Sequence, residues 1–169
     1  MAGRIPLGGM KFSEELAMAA LCADTPPLGA EVDLLQALAG RQVNLFYLSV
    51  SRLPARTRVC MCVAADHIAL VERLAAASRG HWTCRSAASV GLLTFFPHER
   101  RLEALTRALA AFAESHLPVF GVSSTLSALT FVTAFEALGR ASERLREVFA
   151  LPDHHAPFAP EFRVKPVNR

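Results

Sequence analysis

The chain has 169 residues, enough for one large domain or for two small domains that share a core. Its 18 basic and 15 acidic residues give a net charge of +3, and the basic residues are spread out, which argues against nucleic-acid binding. Hydrophobic residues make up 52% and the mean hydropathy is +0.30. We therefore expect apolar surface to be buried on both faces of some strands or in an oligomer.

The cysteines and the N-terminus both favour a cytoplasmic protein. The apolar stretches of the chain contain Cys22, Cys60, Cys62 and Cys84, and no apolar secretory signal precedes them. Residues 115–135 have the length of a membrane span and carry no acidic or basic side chain except His116. Because Pro118, Gly121 and several Ser and Thr residues interrupt this segment, two buried strands joined by a turn explain it better, and we expect no membrane contact.

The first half of the chain predicts the order β-α-β-β-α-β. A strand over 15–22 is followed by a loop over 24–29, a helix that ends near Gly40, and strands over 43–51 and 57–64. Asp66 is the predicted N-cap of a second helix that ends by Gly80, and residues 82–86 are a closing strand.

The second half repeats this order without its last strand. We predict a strand over 88–96, a helix over about 99–115, strands over 118–123 and 128–133, and a helix over 135–149. The tail, residues 152–169, is rich in Pro and His, although residues 162–167 can form a strand. Residues 5–12 are an extended piece with no place in the first copy, and they can supply the strand that the second copy lacks.

A repeat of 74 residues supports this division. At that offset Phe46 aligns with Phe120 and Ser49 with Ser123, and apolar residues meet at neighbouring positions. Several strands are apolar on both faces, as the strand over 57–64 shows by alternating valine and methionine with cysteine. Since the helices of such a unit cover one face of its sheet, the other face must meet a second sheet or a partner subunit. We therefore expect a homodimer.

From about residue 5 to 151 the chain resembles the tandem ACT region of aspartokinases. The stretch LAMAALCADTPPLGAEVDLLQALAGRQVNLFYLSVS is similar to that family's strand, Pro-Gly loop, helix and next strand. The stretch VSSTLSALTFVTAFEALGRASERLREVFAL resembles its Ser/Thr-rich turn, apolar strand and final helix. The resemblance implies an α+β fold of two intertwined ferredoxin-like βαββαβ ACT units, with antiparallel sheets and helices on one face. Residues 13–86 would be the first, inserted unit, and residues 5–12 plus 87–151 the second, which borrows its last strand; residues 152–169 remain a tail.

The same resemblance implies regulation without catalysis. We expect the chain to lack the family's kinase half, because it contains no glycine-rich phosphate-binding motif. The expected function is binding of a small amino acid or related metabolite to control a partner enzyme of amino-acid metabolism. The alternative is an ACT-type interaction or oligomerisation module that binds no ligand. Neither possibility involves an enzyme activity or a cofactor.

The candidate effector site lies at the start of the first helix. Free backbone N–H groups near Pro27, Gly29 and Glu31 can bind a carboxylate, while Asp24 and Glu31 can meet an ammonium group. By resemblance, the loop over 24–29 and the strand residues Asn44, Leu45 and Phe46 line the site. The competing interpretation is that Asp24 only caps a turn and Phe46 only fills the core. Because Phe46 stands where lysine-sensing members tend to carry an acidic residue, a basic effector is disfavoured.

The other candidate sites have simpler explanations. In the second copy His98, Arg100 and Arg101 can hold an anion, but a solvated basic helix start is the favoured interpretation. The serines and Thr125 within 123–127 are expected to complete a turn. Cys60 and Cys62 share one face of a strand, yet no second cysteine or histidine pair has zinc-site spacing, so we predict no metal site.

Overall fold

A computed structural model describes residues 3–96 and 102–152 of the chain. Short 3₁₀ turns at Ala65–His67 and Phe135–Ala137 lead into two of the helices. In chain order, the described elements are β1 (Ile5–Pro6), β2 (Gly9–Phe12), β3 (Leu16–Asp24), α1 (Ala30–Ala39), β4 (Tyr47–Leu53), β5 (Arg56–Ala64), α2 (Ile68–Ala77), β6 (Thr83–Phe96), α3 (Leu102–Glu114), β7 (Gly121–Ser124), β8 (Leu129–Ala134), α4 (Leu138–Val148) and β9 (Phe149–Ala150).

The chain divides into two compact units. Residues 15–90 form one, called here the inserted unit, and residues 3–14 with 91–152 form the other, called the split unit. These limits differ by two and four residues from the predicted limits of 13 and 86. The strand β6 crosses the division, because its first part belongs to the inserted unit and its last part, from Gly91, to the split unit.

The sheet of the inserted unit has the strand order β4-β5-β3-β6, and all of its pairs are antiparallel. This is the ferredoxin-like arrangement, in which each helix crosses over one intervening strand. Alternate strand residues such as Leu21 and Met61 point to one face and pack there against Leu34 of α1 and Val71 of α2. Both helices therefore cover the same face of the sheet.

The split unit has the corresponding order β2-β6-β8-β7. The N-terminal strand β2 runs antiparallel to β6, with Met10 opposite Phe95, and so occupies the position of the fourth strand. A short parallel pair joins β1 to β9, with Ile5 opposite Phe149. Aromatic rings fill the core, since the ring centroid of Phe131 lies 5.8 Å from that of Phe95 and 5.1 Å from that of Phe112.

These observations confirm the predicted fold class, and the repeat corresponds to equivalent positions in the two units. Phe46 and Phe120 each precede the second strand of their unit. The N–H of Phe46 donates to the Cys62 carbonyl at 2.9 Å, and that of Phe120 to the Val132 carbonyl at 2.8 Å. Within the described residues no helix is both long and apolar enough to cross a membrane.

Several local predictions were wrong. The strand β4 begins at Tyr47 and not at residue 43, because residues 40–43 are occupied in closing the end of α1. Asp66 is not an N-cap: it lies inside a 3₁₀ turn, and its side chain makes no capping hydrogen bond. The strands predicted over 82–86 and 88–96 are one continuous strand. A β-bulge at left-handed Ser89 (φ 58°) shifts the register opposite β3 without ending the strand.

Candidate functional site

The predicted effector loop connects β3 to α1 and has an unusual backbone. Gly29 is the N-cap of α1 and is left-handed, with φ 82°. Its carbonyl accepts hydrogen bonds from the N–H groups of Val32 and Asp33, at 2.9 and 3.1 Å. A Cβ atom at Gly29 would meet no heavy atom within 4 Å, so the backbone is open on this side. Glycine is thus required here by the backbone angle and not by crowding.

Some backbone N–H groups at the start of α1 make no hydrogen bond within the described residues. The N–H of Ala30 donates to the Pro27 carbonyl at 3.2 Å. Among the described residues, the N–H groups of Gly29 and Glu31 have no acceptor. Such groups at a helix N-terminus favour an anion, both by hydrogen bonding and by the helix dipole.

The Glu31 carboxylate is already paired within the unit. Its Oε2 accepts a hydrogen bond from Nη2 of Arg52 at 2.8 Å, and the same nitrogen donates to the Pro27 carbonyl at 3.3 Å. Only 17% of the Glu31 side chain and 33% of the Arg52 side chain are exposed. The guanidinium of Arg52 therefore bridges the loop and the first turn of α1.

Two further contacts hold the β4–β5 hairpin against the loop. Nε of Arg56 donates to Oδ1 of Asp24 at 2.6 Å, and the N–H of Thr25 donates to the Ala55 carbonyl at 2.9 Å. The hydrogen bond to Asp24 raises the pKa of Arg56. Asp24 nevertheless stays 70% exposed, so its carboxylate remains accessible to a ligand.

The structure does not bring the other predicted residues of the first copy to this loop. Asp24 lies opposite Arg56 in the sheet, whereas the N–H of Phe46 bonds the carbonyl of Cys62 at the far end of β5. Six residues of extended strand separate Arg56 from Cys62, roughly 20 Å at the usual rise per residue. Within one copy of the inserted unit, Asn44, Leu45 and Phe46 thus cannot contact a small molecule bound at the 24–29 loop.

The region around Phe46 is instead part of a sheet edge. In the described part of the chain β4 pairs only with β5, so its other side is open. Phe46 is 43% exposed, and Leu48 and Val50 on the strand are about equally exposed, at 42% and 44%. We call these three residues the β4 edge patch. An open strand edge with exposed apolar side chains is suited to pairing with another strand.

The candidates in the second copy are only partly described. His98 and Arg101 lie outside the described residues. Thr125 closes the turn between β7 and β8: its N–H donates to the Ala128 carbonyl at 2.9 Å, and its Oγ1 accepts from the Ala128 N–H at 3.0 Å.

The cysteines of the inserted unit are free thiols. Burial raises the pKa of the Cys60 and Cys84 thiols and raises that of Cys62 to about 12. Within residues 3–96 and 102–152, no three His, Cys, Asp or Glu side chains are grouped closely enough to hold a metal ion.

Sequence reasoning missed the contacts of Arg52 and Arg56 with the candidate loop. No local pattern marks them, because they reach the loop only through the pairing of β3, β5 and β4. It also missed a cavity of about 370 Å³ in the split unit, between α3 and α4, where Arg4, Arg107 and Arg144 lie with Glu114 and Glu147 over an apolar floor. Arg144 is paired there with Glu147, and Arg107 with Glu103, so most of the positive charge that lines the cavity is balanced.

No protein-family model matches the sequence, and no curated protein sequence matches it either. Solved structures do. The regulatory subunit of aspartate kinase from Thermus thermophilus, in a ligand-free form, is similar with a TM-score of 0.73 at 14% identity, over 85% of this chain and 99% of that one. Aspartate kinase from Clostridium acetobutylicum gives a TM-score of 0.70 at 8% identity, over 88% of this chain and 37% of that one.

Escherichia coli aspartokinase III, solved with lysine and aspartate in a T-state, gives a TM-score of 0.64 at 10% identity, over 89% of this chain and 35% of that one. The chain thus spans nearly all of the separate regulatory subunit but only about a third of the complete kinases. At these identities the comparison concerns the fold. The chain has the tandem ACT fold of aspartokinase regulatory regions.

Proposed function

We propose that this chain is a non-catalytic regulatory module that binds a small amino acid, or a related metabolite, and thereby controls a partner enzyme of amino-acid metabolism. The observation that carries the proposal is the open, left-handed Gly29 at the start of α1, with unused N–H groups beside it and the exposed Asp24 carboxylate at the end of β3. The similarity in fold to regulatory subunits of aspartate kinase supports a regulatory role.

The groups at this loop suit the two ends of an amino acid. The ligand's carboxylate would accept hydrogen bonds from the N–H groups of Gly29 and Glu31, where the helix dipole favours negative charge. Its ammonium group would meet Asp24. Both carboxylates are paired with an arginine, but the Asp24 side chain is 70% exposed and that of Glu31 only 17%, so Asp24 is the more accessible acceptor.

A homodimer through the β4 edge patch would complete such a site. Two β4 strands related by a two-fold axis near Val50 would run antiparallel, and Phe46 of the second copy would then lie near Leu53 and the 24–29 loop of the first. This pairing would cover Leu48 and Val50 in both copies. It would also bring Asn44, Leu45 and Phe46 of one copy close to the 24–29 loop of the other, which they do not reach within one copy. We expect this assembly in the cytoplasm, where the four free thiols stay reduced.

The alternative function is an ACT-type assembly module that binds no effector. Its support is that Asp24 and Glu31 are already engaged by Arg56 and Arg52. In that case the same loop and hairpin would serve only to hold the inserted unit together and to present the β4 edge patch.

A thermal-shift panel of the twenty amino acids separates these two functions. A ligand that binds only the folded state raises the melting temperature, by an amount equivalent to about 2.7 kcal/mol at a hundred times its Kd. The substitution Asp24→Asn should abolish the shift. The matched control Asp66→Asn, on an exposed carboxylate with only a 3.9 Å contact to His67, should retain it. A flat panel at millimolar concentrations would contradict sensing and support assembly alone.

Sedimentation velocity tests the homodimer. The wild-type chain should sediment as a dimer at micromolar concentration, and Leu48→Lys combined with Val50→Lys should make it a monomer, because like charges would face each other across the paired edges. Leu109→Lys is the control, since Leu109 on α3 is 38% exposed but lies far along the chain from the β4 edge patch. A wild-type monomer would rule out the edge-paired site.

A further inference from the structure

Each carboxylate around the start of α1 has its own guanidinium partner. Asp24 pairs with Arg56, Glu31 with Arg52, and Asp33 with Arg79. The three pairs differ in their accessibility, however. The Glu31 side chain is only 17% exposed, whereas the side chains of Asp33 and Asp24 are 38% and 70% exposed. Glu31 is therefore the carboxylate that depends most on an internal partner, because a largely buried charge without a counterion is costly.

The sheet register directs Arg52 to this carboxylate. Arg52 lies opposite Thr57, and Thr57 is fully buried among the residues that face the helices. The Arg52 side chain therefore points to the helix-covered side of the sheet, beside the first turn of α1. There its Nη2 atom satisfies both the Glu31 carboxylate and the Pro27 carbonyl.

We propose that Arg52 is a specificity-determining residue whose guanidinium fills the acidic end of the effector site in place of a ligand's basic side chain. The inference rests on the function proposed above. With Glu31 and the Pro27 carbonyl already taken, the site accepts amino acids with uncharged side chains and rejects lysine and arginine. A basic side chain would find the Glu31 carboxylate already neutralised, and it would be repelled by the guanidinium of Arg52.

The proposal has a direct consequence for a variant without Arg52. Removing the guanidinium leaves the partly enclosed Glu31 carboxylate next to the Pro27 carbonyl. Both groups accept hydrogen bonds, and a planar guanidinium can donate to both at once. An external guanidinium should then occupy the vacated position. Methylguanidinium is the probe for the position itself, and free arginine is the probe for the position together with the amino-acid contacts at Gly29 and Asp24.

The experiment measures thermal shifts and calorimetric binding for the wild type, Arg52→Ala and Arg52→Met. The ligands are methylguanidinium, arginine, lysine and a panel of neutral amino acids, with methylammonium chloride at equal concentration to correct for ionic strength. Arg79→Ala is the matched control, because it frees the more exposed Asp33 on the same helix. The fluorescence of Trp82, which packs in the core of the inserted unit, verifies that each variant is folded. Arg52→Met keeps the apolar stem of the side chain and serves if Arg52→Ala does not fold.

We expect Arg52→Ala and Arg52→Met to bind methylguanidinium and arginine at least about tenfold more tightly than the wild type or Arg79→Ala. Two results would overturn the proposal: equal affinity for arginine or lysine in the wild type and the Arg52 variants, or no gain of guanidinium binding in either folded Arg52 variant. The first of these leaves the sensing function intact, since the wild type would then bind an amino acid. If the wild type binds no amino acid but the Arg52 variants gain methylguanidinium, the sensing function fails while the role of Arg52 as internal cation is supported.

Discussion

Gln42 and His116 occupy the same position in the two units, 74 residues apart, and both are left-handed, with φ 55° and 52°. Each follows a helix and precedes an apolar residue whose N–H bonds back into that helix. The N–H of Val43 donates to the Leu38 carbonyl at 3.2 Å, and that of Leu117 to the Phe112 carbonyl at 2.9 Å. The helix ends in both units therefore have the closed geometry in which glycine is usually found.

Replacing either residue by glycine should stabilise the protein. A side chain in the left-handed region costs on the order of 1 kcal/mol, of which the greater freedom of glycine in the unfolded chain offsets part. We expect Gln42→Gly and His116→Gly each to raise the free energy of unfolding by about 0.5 kcal/mol in urea titrations. Gln36→Gly, at an exposed position inside α1, is the control and should lower it by about 1 kcal/mol. A loss of stability in both of the first two variants would contradict the assignment of these caps.

The substitution of alanine for glycine should have opposite effects at two sites that are equally uncrowded. A Cβ atom added at Gly29 or at Gly139 would meet no heavy atom within 4 Å, but only Gly29 has a positive φ. We expect Gly29→Ala to lower the free energy of unfolding by about 1 kcal/mol and Gly139→Ala, within α4, to raise it by about 0.5 kcal/mol. Thermal and urea denaturation of the two variants measure this. Effects of the same sign would show that the backbone angle at Gly29 is not what requires glycine.

The N-terminal strand should contribute substantially to the stability of the split unit. Met10 is 5% exposed and packs in the same core as Phe95, its partner across the sheet. We expect Met10→Ala to cost about 3 kcal/mol, measured by the loss of helical circular dichroism in urea. Lys11→Ala, next to it on the exposed face, should cost less than about 1 kcal/mol, because it removes only a contact at 5.4 Å from the Phe96 ring centroid. Equal losses from the two variants would argue that β2 is not part of this core.

The stability of the protein should fall above pH 9 because of Cys62. Burial raises the pKa of this thiol from 9.0 to about 12, so the unfolded chain loses its proton at a lower pH than the folded chain. Between these two pKa values the folded state keeps the thiol proton and the unfolded state has lost it. The free energy of unfolding therefore decreases as pH rises, by at most about 1.4 kcal/mol per pH unit. Urea titrations at several pH values through this window should show a shallower decline for Cys62→Ala than for the wild type. Identical slopes in the two proteins would mean that the thiol is not protected.

Much of the fold follows from patterns that act within short stretches of chain. The alternating residues of β5, the spacing of Leu34 and Leu38 on α1, and the Pro- and Gly-rich loop before α1 each predict their own element. The predicted fold class is confirmed for this reason. Element ends were less predictable. The beginning of β4 depends on how Gln42 and Val43 close α1, and Asp66 lies inside a 3₁₀ turn, where its side chain makes no capping hydrogen bond.

The sequence by itself determined the two βαββαβ units and the loop at the start of α1, because apolar periodicity, turn residues and a 74-residue repeat are properties of neighbouring positions. Only the tertiary structure decided which side chains surround the candidate loop. Arg52 meets Glu31 from 21 residues away and Arg56 meets Asp24 from 32 residues away, since strand register brings them together. The same register carries Phe46 to the far end of the sheet. Charge pairing across strands depends on which residues face each other, and no local pattern of the sequence encodes that choice.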